Sequence, residues 1–313
     1  MNKLLYLLIG FMLILLASSY LFIPNEIVIS KNEQVESTER IVLKYLESAE
    51  HRLKWWPGSK DAGQDIANPL KYNNYDYEFR DPKLNSIVVI IRSGNTDLKS
   101  TVSWMPYSGN LIRLSWKTTL SAGSNPIKRF SRYLQAREIK ANMTLIMERY
   151  SKFIANHKNV YGHNFRIERV TDTLLATTQL YSTAYPDNSQ IYLTIDKIRK
   201  YLDRQGIQPT KPPMLNISSD AKGQYQTTVA LPVPKRFQPD ETILLRNMVP
   251  GNILVADVKG GRKSISGGFS QMEIFMQDFK LGSPAIYFES LITDRRAEPD
   301  TSKWITKIYY PIY

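Results

Sequence analysis

Residues 97–120 read DLKSTVSWMPYSGNLIRLSWKTTL. Leu98, Val102 and Trp104 alternate with Lys99, Thr101 and Ser103; Ile112, Leu114 and Trp116 alternate with Arg113, Ser115 and Lys117. A period of two gives each run one apolar and one polar face, as in antiparallel strands covered on one side. Ser108-Gly109 supplies the hairpin turn between them. Upstream, 75–80 and 86–91 are rich in aromatic and branched residues, and Ser93-Gly94-Asn95 is a second turn. Four such runs in succession predict an antiparallel sheet.

The cover for that sheet lies on either side of it in sequence. Before it, 26–30 reads as a short strand, and Ser37-Thr38-Glu39 as a helix cap with an acid in the first turn. Val42, Tyr45/Leu46, Ala49 and Leu53 follow at helical spacing until Trp55-Trp56-Pro57-Gly58 stops the helix. After it, Pro126 opens a long helix to about residue 156, with Phe130, Tyr133/Leu134, Arg137, Met143, Ile146, Tyr150 and Phe153 as its buried stripe. Residues 158–164 read as a linker.

A second alternation of strands and helices follows. Strands are expected over 165–178 (one or a pair), 225–233, 242–248, 252–258, 285–292 and 305–310, and helices over 190–205 and 265–280. The order is strand–helix–strand–strand, repeated once, which suggests an internal duplication. The expected class is α+β, with domains at 1–25, 26–157 and 165–313 and the linker between the last two.

Residues 4–23, LLYLLIGFMLILLASSYLFI, carry no charge. About 20 apolar residues suffice to span the roughly 30 Å hydrocarbon core as a helix. Lys3 on one flank, with Pro24 and Glu26 on the other, places the amino terminus in the cytoplasm and the rest of the chain in the periplasm or outside the cell. Ala17-Ser18-Ser19 leaves a cleaved signal peptide as the other reading; both export the remaining chain. The expectation is a single-pass protein of the cytoplasmic (inner) membrane.

The chain of 313 residues has no cysteine, which excludes disulfides, thiolate catalysis and Cys-based zinc sites. Its three histidines, His51, His157 and His163, have no metal-ligand spacing, so no metal or cofactor is expected. The net charge of +12 raises nucleic-acid binding. Between Lys128 and Lys158, however, eight Lys or Arg stand against two acids, so much of the excess belongs to one solvated helix. No nucleic-acid motif accompanies it, and none is expected as a partner. There is no Gly-x-Ser-x-Gly elbow, phosphate loop, dinucleotide fingerprint or His-Glu-x-x-His.

The first half resembles the SRPBCC superfamily (START-like, polyketide-cyclase-like helix-grip domains). Leu53-Lys54-Trp55-Trp56-Pro57, the strands from Tyr75 to Leu120 and the helix from Pro126 carry the resemblance. It implies a curved sheet around the long helix and an apolar cavity for hydrophobic ligands. The second half resembles the GyrI-like effector-binding domain. Val255-Ala-Asp-Val-Lys-Gly-Gly261, Ala285-Ile-Tyr-Phe-Glu289 and Trp304-Ile-Thr-Lys-Ile-Tyr-Tyr-Pro-Ile312 carry it. It implies a pocket between duplicated halves that takes amphipathic, often cationic, aromatic molecules. Gly260-Gly261-Arg262-Lys263 stands where many members have a histidine and Gly-Pro-Tyr, and Ala285 where many have a glutamate.

Strand alternation puts Glu289 on the face of Ala285 and Tyr287, where it can replace the missing charge. Its alternatives are an ion pair with Arg295 or Arg296, or exposure. Trp304 and Tyr309 are candidates for an aromatic face against a ligand cation, and both also suit a core. Trp104 and Trp116 are candidates to line the first cavity, and Arg137 to meet a polar head group or pair with Glu47 or Glu50. The expected function is a membrane-anchored protein that senses or sequesters a small hydrophobic or amphipathic ligand. The alternatives are a cyclase or small-molecule hydrolase using Glu289 with Tyr287, and an envelope protein whose pockets are filled by its own side chains. No protein partner is specified.

Overall fold

The computed structural model describes the chain outside residues 1–6, 8–9, 13–17, 19, 59–68, 95 and 172–173. Most of the expected membrane span therefore lies outside the described residues. Among those described, no helix is long and apolar enough to cross a membrane. The protein is α+β and divides into two compact units, 1–156 and 157–313.

The first unit holds a six-stranded antiparallel sheet. Its strands are β1 (Glu26–Glu36), β2 (Leu70–Tyr72), β3 (Tyr75–Lys83), β4 (Ser86–Ser93), β5 (Thr96–Ser108) and β6 (Leu111–Ser121), in the order β1-β6-β5-β4-β3-β2. The alternation in 97–120 is realised residue by residue: Leu98, Val102, Trp104, Ile112, Leu114 and Trp116 are buried. β1 runs farther than the five residues expected from sequence, pairing with β6 from Glu26↔Ser121 to Glu36↔Leu111. Its polar second half, Lys31 to Gln34, belongs to an edge strand, where Lys31 reaches Glu33 and Glu148 instead of a core.

The expected first helix is broken at Ser48 into α1 (Glu39–Glu47) and α2 (Ala49–Leu53). The Ser48 side chain caps the second piece by accepting from the His51 backbone N–H. Buried Arg52 donates to the Leu46 and Glu47 carbonyls at 2.6 and 2.7 Å, satisfying the open end of α1. Trp55 and Trp56 are both buried; their indole nitrogens donate to the Tyr45 and Lys71 carbonyls.

α3 (Pro126–Ile154) packs on β1 and β6. Met143, Ile146 and Tyr150 face in as expected, and the Tyr150 hydroxyl donates to the Val42 carbonyl at 2.8 Å. The first half of the helix is rotated relative to the expectation. Arg129, Ala136 and Ile139 are buried, whereas Phe130, Tyr133, Leu134 and Arg137 are exposed. Arg129 sets this phase: it donates to the Ile23 carbonyl through Nε and Nη2 and to Asn25 Oδ1. A guanidinium with three such bonds outweighs the exposure of a few apolar side chains.

The second unit opens with α4 (His157–Tyr161), where the sequence reads as linker; Val160 and Tyr161 are buried in it. The expected strand pair is β7 (Arg166–Arg169) and β8 (Leu174–Ser182). Then come α5 (Asn188–Asp203), β9 (Met214–Ser219), β10 (Tyr225–Pro232), β11 (Leu244–Asn247), β12 (Asn252–Lys259), α6 (Arg262–Asp278), β13 (Phe288–Leu291) and β14 (Ile305–Ile312). All eight strands form one antiparallel sheet, ordered β11-β8-β10-β9-β13-β14-β12-β7. The order is palindromic: β8-α5-β9-β10 and β12-α6-β13-β14 are two strand–helix–strand–strand units that meet at β9 and β13. β9 has no counterpart among the expected strands, because its apolar positions are few and Pro212-Pro213 precede it.

The seam between the repeats is thin. β9 and β13 share only Glu289↔Leu215 and Ser290↔Met214. Beyond them, Asn216 Nδ2 donates to the Tyr287 carbonyl at 2.8 Å and the Leu291 N–H to the Pro213 carbonyl at 2.9 Å. The central strands therefore diverge past Leu215, and the cleft described next opens beside that divergence.

Candidate functional site

A cleft of about 820 Å³ lies within the second unit. Its walls come from the start of α5, from β9, from α6 and from the chain between Tyr287 and Trp304. Such a volume accommodates an ordinary small molecule. Four aromatic residues, Tyr185, Phe269, Tyr287 and Trp304, line it among mostly polar and charged neighbours. Phe269 and Tyr287 pack at a centroid distance of 4.6 Å, and Tyr287 leans on Tyr310 at 5.6 Å. Arg262, at the first position of α6, places its guanidinium 3.4 Å from the Tyr185 ring centre. Gly261 precedes α6 with no side-chain cap, and residues 261–265 line the cleft with Arg262 and Lys263 among them.

Glu289 lies on this cleft yet is only 7% exposed. An unpaired carboxylate at that depth would be costly. Arg295 answers it: Nη2 stands 3.1 Å from Oε2 of Glu289 and donates also to Thr306 Oγ1 at 3.0 Å. The same guanidinium lies 4.9 Å from the Trp304 ring centre. Burial pushes the Glu289 carboxyl above its ordinary range, and Arg295 offsets part of that rise. The Arg295 backbone N–H donates to the Tyr192 hydroxyl, and the Trp304 indole N–H to the Glu298 carbonyl, so the cation and the indole beside it are each tied to the surrounding chain. The structure thus contains a cation sandwiched between a buried carboxylate and an indole, and that cation belongs to the protein.

The expected site residues separate into groups. Tyr287, Glu289 and Trp304 come together on the cleft. Tyr309 does not join them: it pairs with Phe288 in register and stacks on that ring at 4.8 Å. Phe288 and Tyr309 point to the other side of the sheet, where they line a smaller cavity of about 90 Å³ with Met214 and Ile253. Adjacent strand residues point to opposite faces, so the Tyr309–Tyr310 pair is split, and Tyr310 is the one on Tyr287's side.

Trp104 and Trp116, expected to line a cavity in the first unit, are packed into its core at 2% and 1% exposure. The Trp116 indole donates to Ser100 Oγ, which itself donates to the Val89 carbonyl. Arg137 is exposed on the outer face of α3, beside Tyr133 and Lys140. Among the described ion pairs it meets neither Glu47 nor Glu50, because the buried phase of the helix is set by Arg129.

Tyr185, Arg262 and Phe269 are cleft residues that the sequence does not single out. Phe269 sits on the apolar side of α6, where pocket and core read alike. Tyr185 lies in the turn before α5, and only tertiary packing brings it under Arg262. Asp187, also on the cleft, caps α5: its carboxylate accepts from the Gln190 N–H at 2.8 Å, and Gln190 Oε1 accepts from the Asp187 N–H at 3.0 Å. Replacing Asp187 by Ala removes one side of this capping box. A loss of about 1 kcal/mol is expected, measured as the shift in urea midpoint.

No family model matches this sequence, and no curated protein matches it. Solved structures do. The EcmrR C-terminal domain aligns with 48% of this chain and 98% of its own, at 14% identity and TM-score 0.40. SAV2435, solved with tetraphenylphosphonium bound, aligns with 48% of this chain and 94% of its own, at 11% identity and TM-score 0.33. A START superfamily protein from Mycobacterium smegmatis aligns with 37% of this chain and 94% of its own, at 12% identity and TM-score 0.21.

Proposed function

We propose that the second unit is a GyrI-like effector-binding domain that holds an amphipathic aromatic cation, sensing or sequestering it. The observation that supports this reading is the placement of Glu289 and Trp304 around a guanidinium on a cleft partly walled by aromatic rings. A carboxylate and an indole face that hold one delocalised cation suit another, provided Arg295 moves aside. The first unit is read as an SRPBCC-like helix-grip domain, and residues 4–23 as an anchor holding both outside the cytoplasmic membrane. With Trp104 and Trp116 in the core, this reading puts the ligand in the second unit. The hydrolase alternative needs Glu289 as a free acid or base, and the ion pair with Arg295 argues against it.

Tetraphenylphosphonium, aromatic and permanently charged, is a suitable probe. Titration calorimetry on the full chain should show saturable binding. Phe269→Ala should weaken it about tenfold, the loss of one well-packed aromatic contact of roughly 1.4 kcal/mol. Because the probe does not titrate, pH acts through the protein. Binding should weaken as pH falls through the raised range of Glu289, where protonation removes the negative charge. Absence of saturable binding, or binding that Phe269→Ala leaves unchanged, would count against the site.

A further inference from the structure

The outer face of α3 carries an apolar stripe with nothing over it among the described residues. Ile127, Phe130 and Leu134 recur at i, i+3 and i+7 and are 70%, 56% and 48% exposed, with Tyr133 beside them. Exposed large apolar groups that line up on one helix face mark a contact surface.

Two observations identify what it contacts. The first is position. The start of α3 is fastened to the end of the uncharged stretch 4–23: Arg129 grips the Ile23 carbonyl at 2.8 and 2.6 Å, and its guanidinium lies 4.9 Å from the Tyr20 ring centre. The Tyr20 hydroxyl donates to the Ser124 carbonyl, just before the helix cap at Asn125. The stripe therefore begins where the apolar stretch ends. The second is charge. Lys128, Arg137 and Lys140 are exposed around the stripe, the one exposed acid beside it among the described residues, Glu138, accepts from the Tyr75 hydroxyl, and the first turn of α3 contains no acid. A basic rim around an apolar stripe complements anionic phospholipid headgroups. A second copy of the chain would instead set these cations against one another.

We propose that the first turns of α3 lie in the headgroup region of an anionic bilayer, with Ile127 and Phe130 deepest. The proposal rests on reading 4–23 as a membrane span and is independent of the ligand cleft. From Ile127 to Leu134 the helix advances roughly 10 Å along its axis, about two turns of apolar face offered to the interface. The surface would hold the first unit upright on the membrane instead of leaving it on a free tether.

The absence of cysteine makes the test direct, since a single introduced Cys is the only labelling site. Leu21→Cys, Phe130→Cys and Leu84→Cys are each labelled with an environment-sensitive fluorophore. The full chain is reconstituted in phosphatidylglycerol–phosphatidylcholine vesicles containing a lipid-borne quencher. Leu84 is 86% exposed between β3 and β4, at the sheet end opposite Ile23, and β4 separates the two ends by roughly 25 Å. The expected result is a blue shift and quenching at positions 21 and 130 and neither at 84. Quenching at 21 with position 130 behaving like 84 overturns the docking and leaves the span standing. No quenching at 21 or 130 overturns both. Shielding of 130 that depends on protein concentration, without lipid quenching, assigns the stripe to a second copy and also overturns the proposal.

Discussion

Replacing Arg295 by Met is expected to destabilise the second unit by about 3–5 kcal/mol near neutral pH, the range for stripping one partner from a buried ion pair. The loss follows from what remains. Glu289 is 7% exposed, and Arg295 is the charged group that approaches its carboxylate among the described residues. Methionine keeps much of the packing against Trp304 and supplies no charge. The sign of the pH dependence is fixed by the same geometry. Burial already holds the folded pKa of Glu289 above its unfolded value, so the folded state binds the extra proton. Its destabilising contribution is complete above the folded pKa and fades as pH falls toward the unfolded value. Removing Arg295 deletes the opposing charge, raises the folded pKa further and widens that window upward. Urea unfolding should therefore show the variant deficit shrinking at mildly acidic pH. The double variant Glu289→Leu, Arg295→Met should recover most of the stability, because an apolar pair avoids desolvating charge altogether. A deficit that does not change with pH would mean that Glu289 finds another partner when Arg295 is gone. The same single variant also reports on function: with the internal cation removed, tetraphenylphosphonium should bind more tightly at neutral pH, where Glu289 must take a cation from elsewhere.

Trp56→Ala should destabilise the first unit by a similar amount, about 3–5 kcal/mol. The side chain is 1% exposed. Its indole packs edge-on to Tyr77 at 5.3 Å and Phe79 at 5.9 Å, and against Trp55 at 5.6 Å. It also donates to the Lys71 carbonyl at 2.8 Å, tying the end of the helical segment to β2. Truncation leaves both a cavity and an unpaired carbonyl, and the two costs add. Trp56→Phe separates them: it fills most of the space and should cost less than half as much. Thermal unfolding followed by near-ultraviolet circular dichroism would read both. The outcome bears on the Trp-Trp-Pro motif, whose role here is to lock the helical segment onto the sheet.

The sheet of the first unit was legible because its strands are half-buried. Trp104 and Trp116 declare their face by alternating with Ser103 and Lys117. The same alternation cannot say whether an inward tryptophan meets a ligand or another side chain, and here both meet core. The long helix was legible in extent and not in phase. Phe130, Tyr133 and Leu134 have the hydrophobicity of core residues, and the competing stripe through Arg129 looks polar until the Ile23 carbonyl is seen in front of it. In the second unit a repeated order of elements was visible, but its first copy was expected to close on β10 and β11, where the structure closes it on β9 and β10 and leaves β11 at the sheet edge. β9 was not visible, since six residues beside two prolines carry little periodic signal.

What the sequence by itself determined is local: the period-two strands, the helix caps, the Gly and Pro stops, the absence of thiols, and the uncharged stretch at 4–23. These follow from side-chain spacing and backbone chemistry within a few residues, and neighbours in the chain suffice to express them. The tertiary structure alone decided which residues share a site. Glu289, Arg295 and Trp304 meet because β13, the loop after it and the start of β14 fold back on one another. Tyr309 is excluded because strand pleating turns it away. A charge is read by everything within a few ångströms of it, and most of those atoms are distant in sequence.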